Sequence, residues 1–205
     1  MMADSLQAMR TALVDAARLA YAEGLFSGTS GNLSVLVDGQ MLITPTSVRY
    51  EQLRPEELVL MSPDGTVLAG SLPPSSEWRM HAQVYARCPG VLAQVHTHSP
   101  YATAYAAARR SIPACLIEML YFLGGEVPCA AYAPPGTEAV GLRCAEVLPG
   151  HGGCLLANHG VLAVGGSLRE ALLRAEYIED AAKISLLSMQ LGGPTVLSNG
   201  LEDSL

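Results

Sequence analysis

Apolar residues recur at helical spacing over residues 4–23, where Leu6, Met9, Leu13, Ala16, Leu19 and Ala20 share one face. That pattern predicts an amphipathic opening helix that ends near Gly24. The rhythm then shortens. Residues 33–37 and 41–44 flank Asp38-Gly39, and residues 58–62 and 66–69 flank Pro63-Asp64-Gly65; each pair reads as a β-hairpin. Helices are expected from Ser75-Ser76 to about Cys88, from Pro100 to about Ala108, over 113–123 up to Gly124-Gly125, and over 137–148. The serines before Glu77 suit a helix N-cap. A last helix runs from Ser167 to about Leu191, with Ser167 and Glu170 spaced as a capping box. Short apolar runs at 91–95, 155–157 and 161–164 supply further strands, and Asn158-His159-Gly160 forms a tight turn between the last two. Hairpins interleaved with helices define an α/β layered domain with a largely antiparallel sheet.

We find no internal repeat, linker or low-complexity tract, so residues 1–205 read as one domain, with no element signal after Gly192. Half of the 205 residues are apolar and 15% are charged, the balance of a globular chain. The net charge of −7 argues against nucleic-acid or anionic-membrane partners. No basic region followed by an apolar run opens the chain, and no apolar stretch approaches the ~20 residues of a membrane span. Five cysteines, Cys88, Cys115, Cys129, Cys144 and Cys154, form no C-x-x-C pair. They read as reduced, buried thiols of a cytoplasmic protein.

Four widely spaced residues read as one metal site. His96 and His98, two apart at the end of an apolar strand, point to the same side. His159 on its turn adds a third imidazole, and Glu77 adds a carboxylate. Three nitrogens and one carboxylate oxygen suit Zn²⁺. Separately, the two strand histidines could be hydrogen-bonded structural residues, His159 could fill a turn, and Glu77 could serve only the helix dipole. If Glu77 faces the histidines, it has a second role as a proton shuttle once substrate displaces it. His81, one turn further along the same helix, reads as a structural residue or a support to the ligands. Three small-polar patches flank the set: residues 28–32, residues 44–47, and Ser75-Ser76. Backbone amides, hydroxyls and a helix start hold phosphate without a basic side chain.

In order along the chain stand Thr29-Ser30-Gly31-Asn32, Ile43-Thr44-Pro45-Thr46, Pro74-Ser75-Ser76-Glu77-Trp78-Arg79, His96-Thr97-His98, Ile112-Pro113-Ala114 and Asn158-His159-Gly160. With these motifs the chain resembles the class II aldolase/adducin family up to about residue 191. The resemblance implies a three-layer α/β/α domain in a homotetramer with sites between neighbouring subunits. It implies one Zn²⁺ per subunit at Glu77, His96, His98 and His159, and a phosphate pocket at Asn32, Thr46, Ser47, Ser75 and Ser76. Its expected reaction is cleavage of a ketose 1-phosphate to dihydroxyacetone phosphate and an aldehyde. A sugar-phosphate epimerase, dehydratase or decarboxylase would share the same metal chemistry, and an adducin-like scaffold would need no intact metal set. Two departures are visible. Ser47 stands where the aldolases have glycine, and Glu118 stands where they have a proton-donating tyrosine contributed by a neighbouring subunit, with Tyr121 one helical turn away as its substitute.

Overall fold

Asp38 and Gly39 both take positive φ, 50° and 77°, the backbone of a tight two-residue turn whose twist matches the strands it joins. They close the hairpin of β1 (Asn32–Val37) and β2 (Gln40–Ile43). A computed structural model describes residues 2–197 of the chain. The second expected hairpin forms as β3 (Val59–Met61) and β4 (Val67–Ala69), followed by β5 (Ala93–Thr97), β6 (Cys129–Ala130), β7 (Gly153–Leu156) and β8 (Gly160–Gly165). These eight strands make one sheet in the order β4-β3-β2-β1-β5-β8-β7-β6. Every pairing is antiparallel except β6 with β7.

Both faces of the sheet are covered, and the strand period of two sorts side chains between them. On one face Leu33, Val35, Ala93, Val95, Val161 and Ala163 join the largest core with α1 (Met2–Ala22), α3 (Pro100–Ala108) and α5 (Leu168–Ser188). On the other, Leu162 and Val164 pack under α2 (Trp78–Arg87) and α4 (Glu138–Val147), through Met80, Val84, Val140 and Leu148. The result is the expected three-layer α/β/α arrangement. The α2-facing positions of β1 and β5 are polar: Asn32 and Ser34 lie opposite His96 and Gln94 in register, and all four are buried.

Three local expectations are corrected. Residues 113–116 are not helical: Ile112 and Val127 exchange backbone hydrogen bonds at 3.0 Å, and the Leu197 amide donates to the Ala114 carbonyl at 2.7 Å. These tertiary bonds override the apolar pattern, leaving a single wide turn at Met119–Leu123. Nor does a serine cap α2. The Ser75 amide donates to the Thr44 carbonyl at 3.0 Å, which keeps this segment extended until Glu77, the residue at the helix start. At α5, Ser167 does cap the Glu170 amide, but the Glu170 carboxylate takes the Gly166 amide rather than that of Ser167. The five thiols are free, as expected, but only Cys144 and Cys154 are buried; Cys88, Cys115 and Cys129 are half-buried. Among the described residues no helix is long and apolar enough to cross a membrane.

Candidate metal centre and anion pocket

Three segments deliver the four expected ligands to one point. β5 carries His96 and ends one residue before His98; the β7–β8 turn carries His159; the start of α2 carries Glu77. One ligand atom from each lies within 4.8 Å of all the others. The His96 Nε2 is 3.0 Å from the His98 Nε2 and 3.0 Å from the Glu77 Oε2, and the His159 Nε2 is 3.2 Å from the Glu77 Oε1. A tetrahedral shell with metal–ligand bonds of ~2.0–2.1 Å has edges of about 3.3 Å. The three close separations approach such an edge, and the donor set is compatible with a small divalent cation. The His96 Nδ1–H donates to the Val161 carbonyl at 2.7 Å, which turns the bare Nε2 of the neutral ring inward. The Glu77 Oε1 is buried and accepts no hydrogen bond.

The electrostatics agree. Burial alone would raise the Glu77 carboxyl, but His96, His159 and the Asn32 amide outweigh it and hold the group well below the usual carboxylate range. Burial and the charge of His96 and His159 push His98 down to about 4, and burial with His96 also lowers His159. Burial opposes protonation of His96, yet Glu77 and the Val161 carbonyl raise it on balance. An anionic carboxylate thus faces His98 and His159 rings whose protonation is disfavoured, and a divalent cation in place of the proton on His96 completes the set.

Gly160 makes the convergence sterically possible. A Cβ there would collide with the Thr97 carbonyl oxygen and stand 3.0 Å from the His98 ring and 3.3 Å from the His96 ring. Further from the candidate ligands, the α3 C-terminus holds the His159 turn. Asn158, at φ 58°, accepts from Arg109 Nε at 2.7 Å and donates to the Ala107 carbonyl at 3.2 Å. The Glu179 carboxylate accepts the amides of Tyr101 and Ala102 at 2.9 and 2.8 Å, fixing the chain just past His98.

Beside the ligands lies a cavity of about 130 Å³ lined by Asn32, Thr46, Ser47, Ser75 and Ser76, together with Glu77 and His98. All five expected phosphate residues meet there. Ser47 adopts φ 61°, the left-handed region that favours glycine. Glu118 and Tyr121 do not join them. Glu118 lines a cavity with Tyr177 and Asp180, and Tyr121, 75% exposed, lines another with His151 and Arg174.

Sequence reasoning missed the supports. Ser34, Tyr85 and Gln94 line up behind the site with His81, on a sheet face where polar residues look like solvent-facing ones. The signal was the spacing of Glu77, His81 and Tyr85 by four along one helix.

A three-layer α/β/α domain that gathers three histidines and a glutamate beside a hydroxyl-rich cavity is compatible with a metal-dependent enzyme. Residues 11–186 match the family described as the class II aldolase and adducin N-terminal domain. A 5-methylthioribulose-1-phosphate/5-deoxyribulose-1-phosphate aldolase of Rhodospirillum rubrum is 37% identical over 190 residues, covering 93% of this chain and 86% of that one. An L-fuculose phosphate aldolase of Escherichia coli is 38% identical over 177 residues, covering 86% and 82%. A solved L-fuculose 1-phosphate aldolase superposes with a TM-score of 0.88 at 34% identity, covering 93% of this chain and 90% of that one. The chain belongs to the class II aldolase and adducin family, and it is an aldolase-type lyase within it.

Proposed function

We propose that this protein is a zinc-dependent aldolase that cleaves a ketose 1-phosphate, of the kind represented by L-fuculose 1-phosphate, into dihydroxyacetone phosphate and an aldehyde. The carrying observation is the shared cavity: five neutral donors suited to phosphate and two of the four metal ligands line the same space. Thr46, Ser47, Ser75, Ser76 and Asn32 bind the phosphate and set the distance of C2 and C3 from the histidines. Zn²⁺, held by Glu77, His96, His98 and His159, supplies Lewis-acid stabilisation of the negative charge that develops on the substrate oxygen. The C4 hydroxyl loses its proton, the C3–C4 electron pair stays with the ketose fragment, and C4 leaves as the aldehyde carbonyl. Glu77, displaced from the metal by substrate, takes up a proton from solvent and delivers it to C3, balancing the one lost from the C4 hydroxyl, which completes dihydroxyacetone phosphate.

The proton on the C4 hydroxyl is assigned to Tyr121 or Glu118 of a neighbouring subunit. Tyr121 is highly exposed and neither residue reaches its own chain's ligands, which supports a site completed across an interface. The functional unit is accordingly a cytoplasmic homotetramer, with residues 1–205 of each chain acting as one domain.

Release of dihydroxyacetone phosphate tests the reading, with a panel of L-fuculose 1-phosphate, 5-deoxyribulose 1-phosphate and 5-methylthioribulose 1-phosphate. Activity abolished by a chelator and restored by zinc is expected, and the aldehyde identifies the sugar. Zinc bound with no triose phosphate from any substrate would move the reaction to epimerisation, dehydration or decarboxylation.

A further inference from the structure

Behind Glu77 a single file of buried polar groups crosses from the sheet to α2. The Glu77 Oε2 is 2.9 Å from the Asn32 Nδ2, and the Asn32 Oδ1 is 2.5 Å from the His81 Nε2. The His81 Nδ1 lies 2.7 Å from the Ser34 Oγ, which lies 2.7 Å from the Tyr85 hydroxyl. His81 and Ser34 are completely inaccessible to solvent, so no water can replace a missing partner.

The direction of every proton in this file follows from its charged end. An ionised carboxylate only accepts, so Asn32 must turn its NH₂ to Glu77 and its carbonyl to His81. The His81 Nε2 must then carry a hydrogen. In the neutral ring Nδ1 is bare and accepts from Ser34, which in turn accepts from Tyr85. Burial, with the charge of His96, keeps the ring neutral. Asn32 also helps to line the cavity beside Glu77. Were the amide to flip, its oxygen would meet the Glu77 carboxylate.

We propose that His81 is a positioning residue for the metal centre: by donating to Asn32 it fixes that amide with its NH₂ toward Glu77, and so sets the carboxylate that completes the ligand shell. The inference rests on the metal-centre reading above. The helix face Glu77, His81, Tyr85 and the strand pair Asn32, Ser34 are thus one device with its output at the carboxylate.

The test uses the whole chain stripped of metal and titrated with zinc against a competing chelator, with the visible spectrum of the cobalt form and the unfolding temperature of each apoprotein measured in parallel. His81→Leu removes the donor and is expected to weaken zinc about 10–100-fold, as losing a hydrogen-bond partner behind a ligand does, and to change the cobalt spectrum. His81→Gln restores a donor toward Asn32 and an acceptor toward Ser34, so it is expected to recover most of the affinity even where its unfolding temperature falls. A merely structural histidine would lower stability in both variants without separating their affinities. Ser34→Ala gives a second handle if His81→Leu fails to fold, because His81 is then free to move its proton to Nδ1; weaker zinc binding is expected. Long-range ¹H–¹⁵N spectra of the wild-type apoprotein should show the Nε2–H tautomer at His81. An Nδ1–H tautomer, wild-type affinity in His81→Leu or in Ser34→Ala, or equal losses in His81→Leu and His81→Gln overturns the proposal. A wild-type protein that takes up no zinc overturns the metal-centre reading itself, and the proposal with it.

Discussion

Ser47 holds a backbone conformation, φ 61°, that costs a residue with a Cβ about 1–2 kcal/mol. Ser47→Gly relieves that strain but frees the unfolded chain, which takes back ~0.4–1 kcal/mol. The net expectation is a gain of roughly 0.5 kcal/mol, or a rise of about 1–2 °C in unfolding temperature. If the backbone at this position is what meets the phosphate, KM for the ketose phosphate stays within a few-fold of wild type. A KM that rises about tenfold, equivalent to ~1.4 kcal/mol, would instead assign the contact to the hydroxyl. Gly160 is the opposite case. Its neighbours are the Thr97 carbonyl and the rings of His96 and His98, none of which yields without moving a ligand. Gly160→Ala should cost about 1–3 kcal/mol through overpacking and lose bound zinc. Denaturant titration and metal content read the two effects separately, and full zinc occupancy would show that the ligands tolerate a displaced strand.

At the scale of elements, α3 owes its start to α5. Glu179 accepts the Tyr101 and Ala102 amides and places a negative charge at the helix N-terminus. Glu179→Gln keeps an acceptor but loses the charge, so a loss of about 1–2 kcal/mol is expected in urea unfolding. Zinc binding should weaken too, because His98 immediately precedes this helix start; unchanged stability would show the contact to be incidental. For α2 the readout is pH. The His81 pKa is pushed down to about 3 by burial and by His96, against ~6.5 when unfolded. Between those values the unfolded chain holds about one more proton at this site. Stability therefore falls by ~1.4 kcal/mol for each pH unit below 6.5, and His81→Gln should remove that share of the slope. Equal slopes in the two proteins would place His81 in a solvated setting. These same elements show what the sequence discloses. The His96–His98 pair, the His159 turn and both hairpins were legible because their signals are local: strand period, turn residues, ligand types. The segment at 113–116 was not, since its extended form depends on Val127 and Leu197. The α2 start was misplaced because Thr44, far away in sequence, holds Ser75 extended. Ser34 and Gln94 were passed over because a polar residue in a strand usually marks the wet face. Here helices cover both faces of the sheet, and those polar positions hydrogen-bond to His81.

For the whole molecule, the question is where the second half of the chemistry comes from. Glu77 and the histidines are complete within one chain, yet Glu118 and Tyr121 line other cavities. The proposed homotetramer, with its sites between neighbours, would resolve this separation by placing the exposed Tyr121 of one subunit at the metal centre of the next. Subunit mixing tests that arrangement directly. Glu77→Gln should disable the metal half and Tyr121→Phe the proton-transfer half, so each variant alone is expected to lose at least about 100-fold in kcat, the lower range for a general acid or base. When equal amounts are unfolded together and reassembled, a site that draws its two halves from different chains receives both intact halves in about one case in four. Activity should then recover to roughly a quarter of that of wild type treated the same way. If each site were built within one chain, no hybrid site would hold both halves, and the mixture would stay as inactive as its parents. Tyr121→Phe with undiminished activity would remove Tyr121 from the chemistry, and the same experiment with Glu118→Gln would then decide whether the carboxylate takes its place.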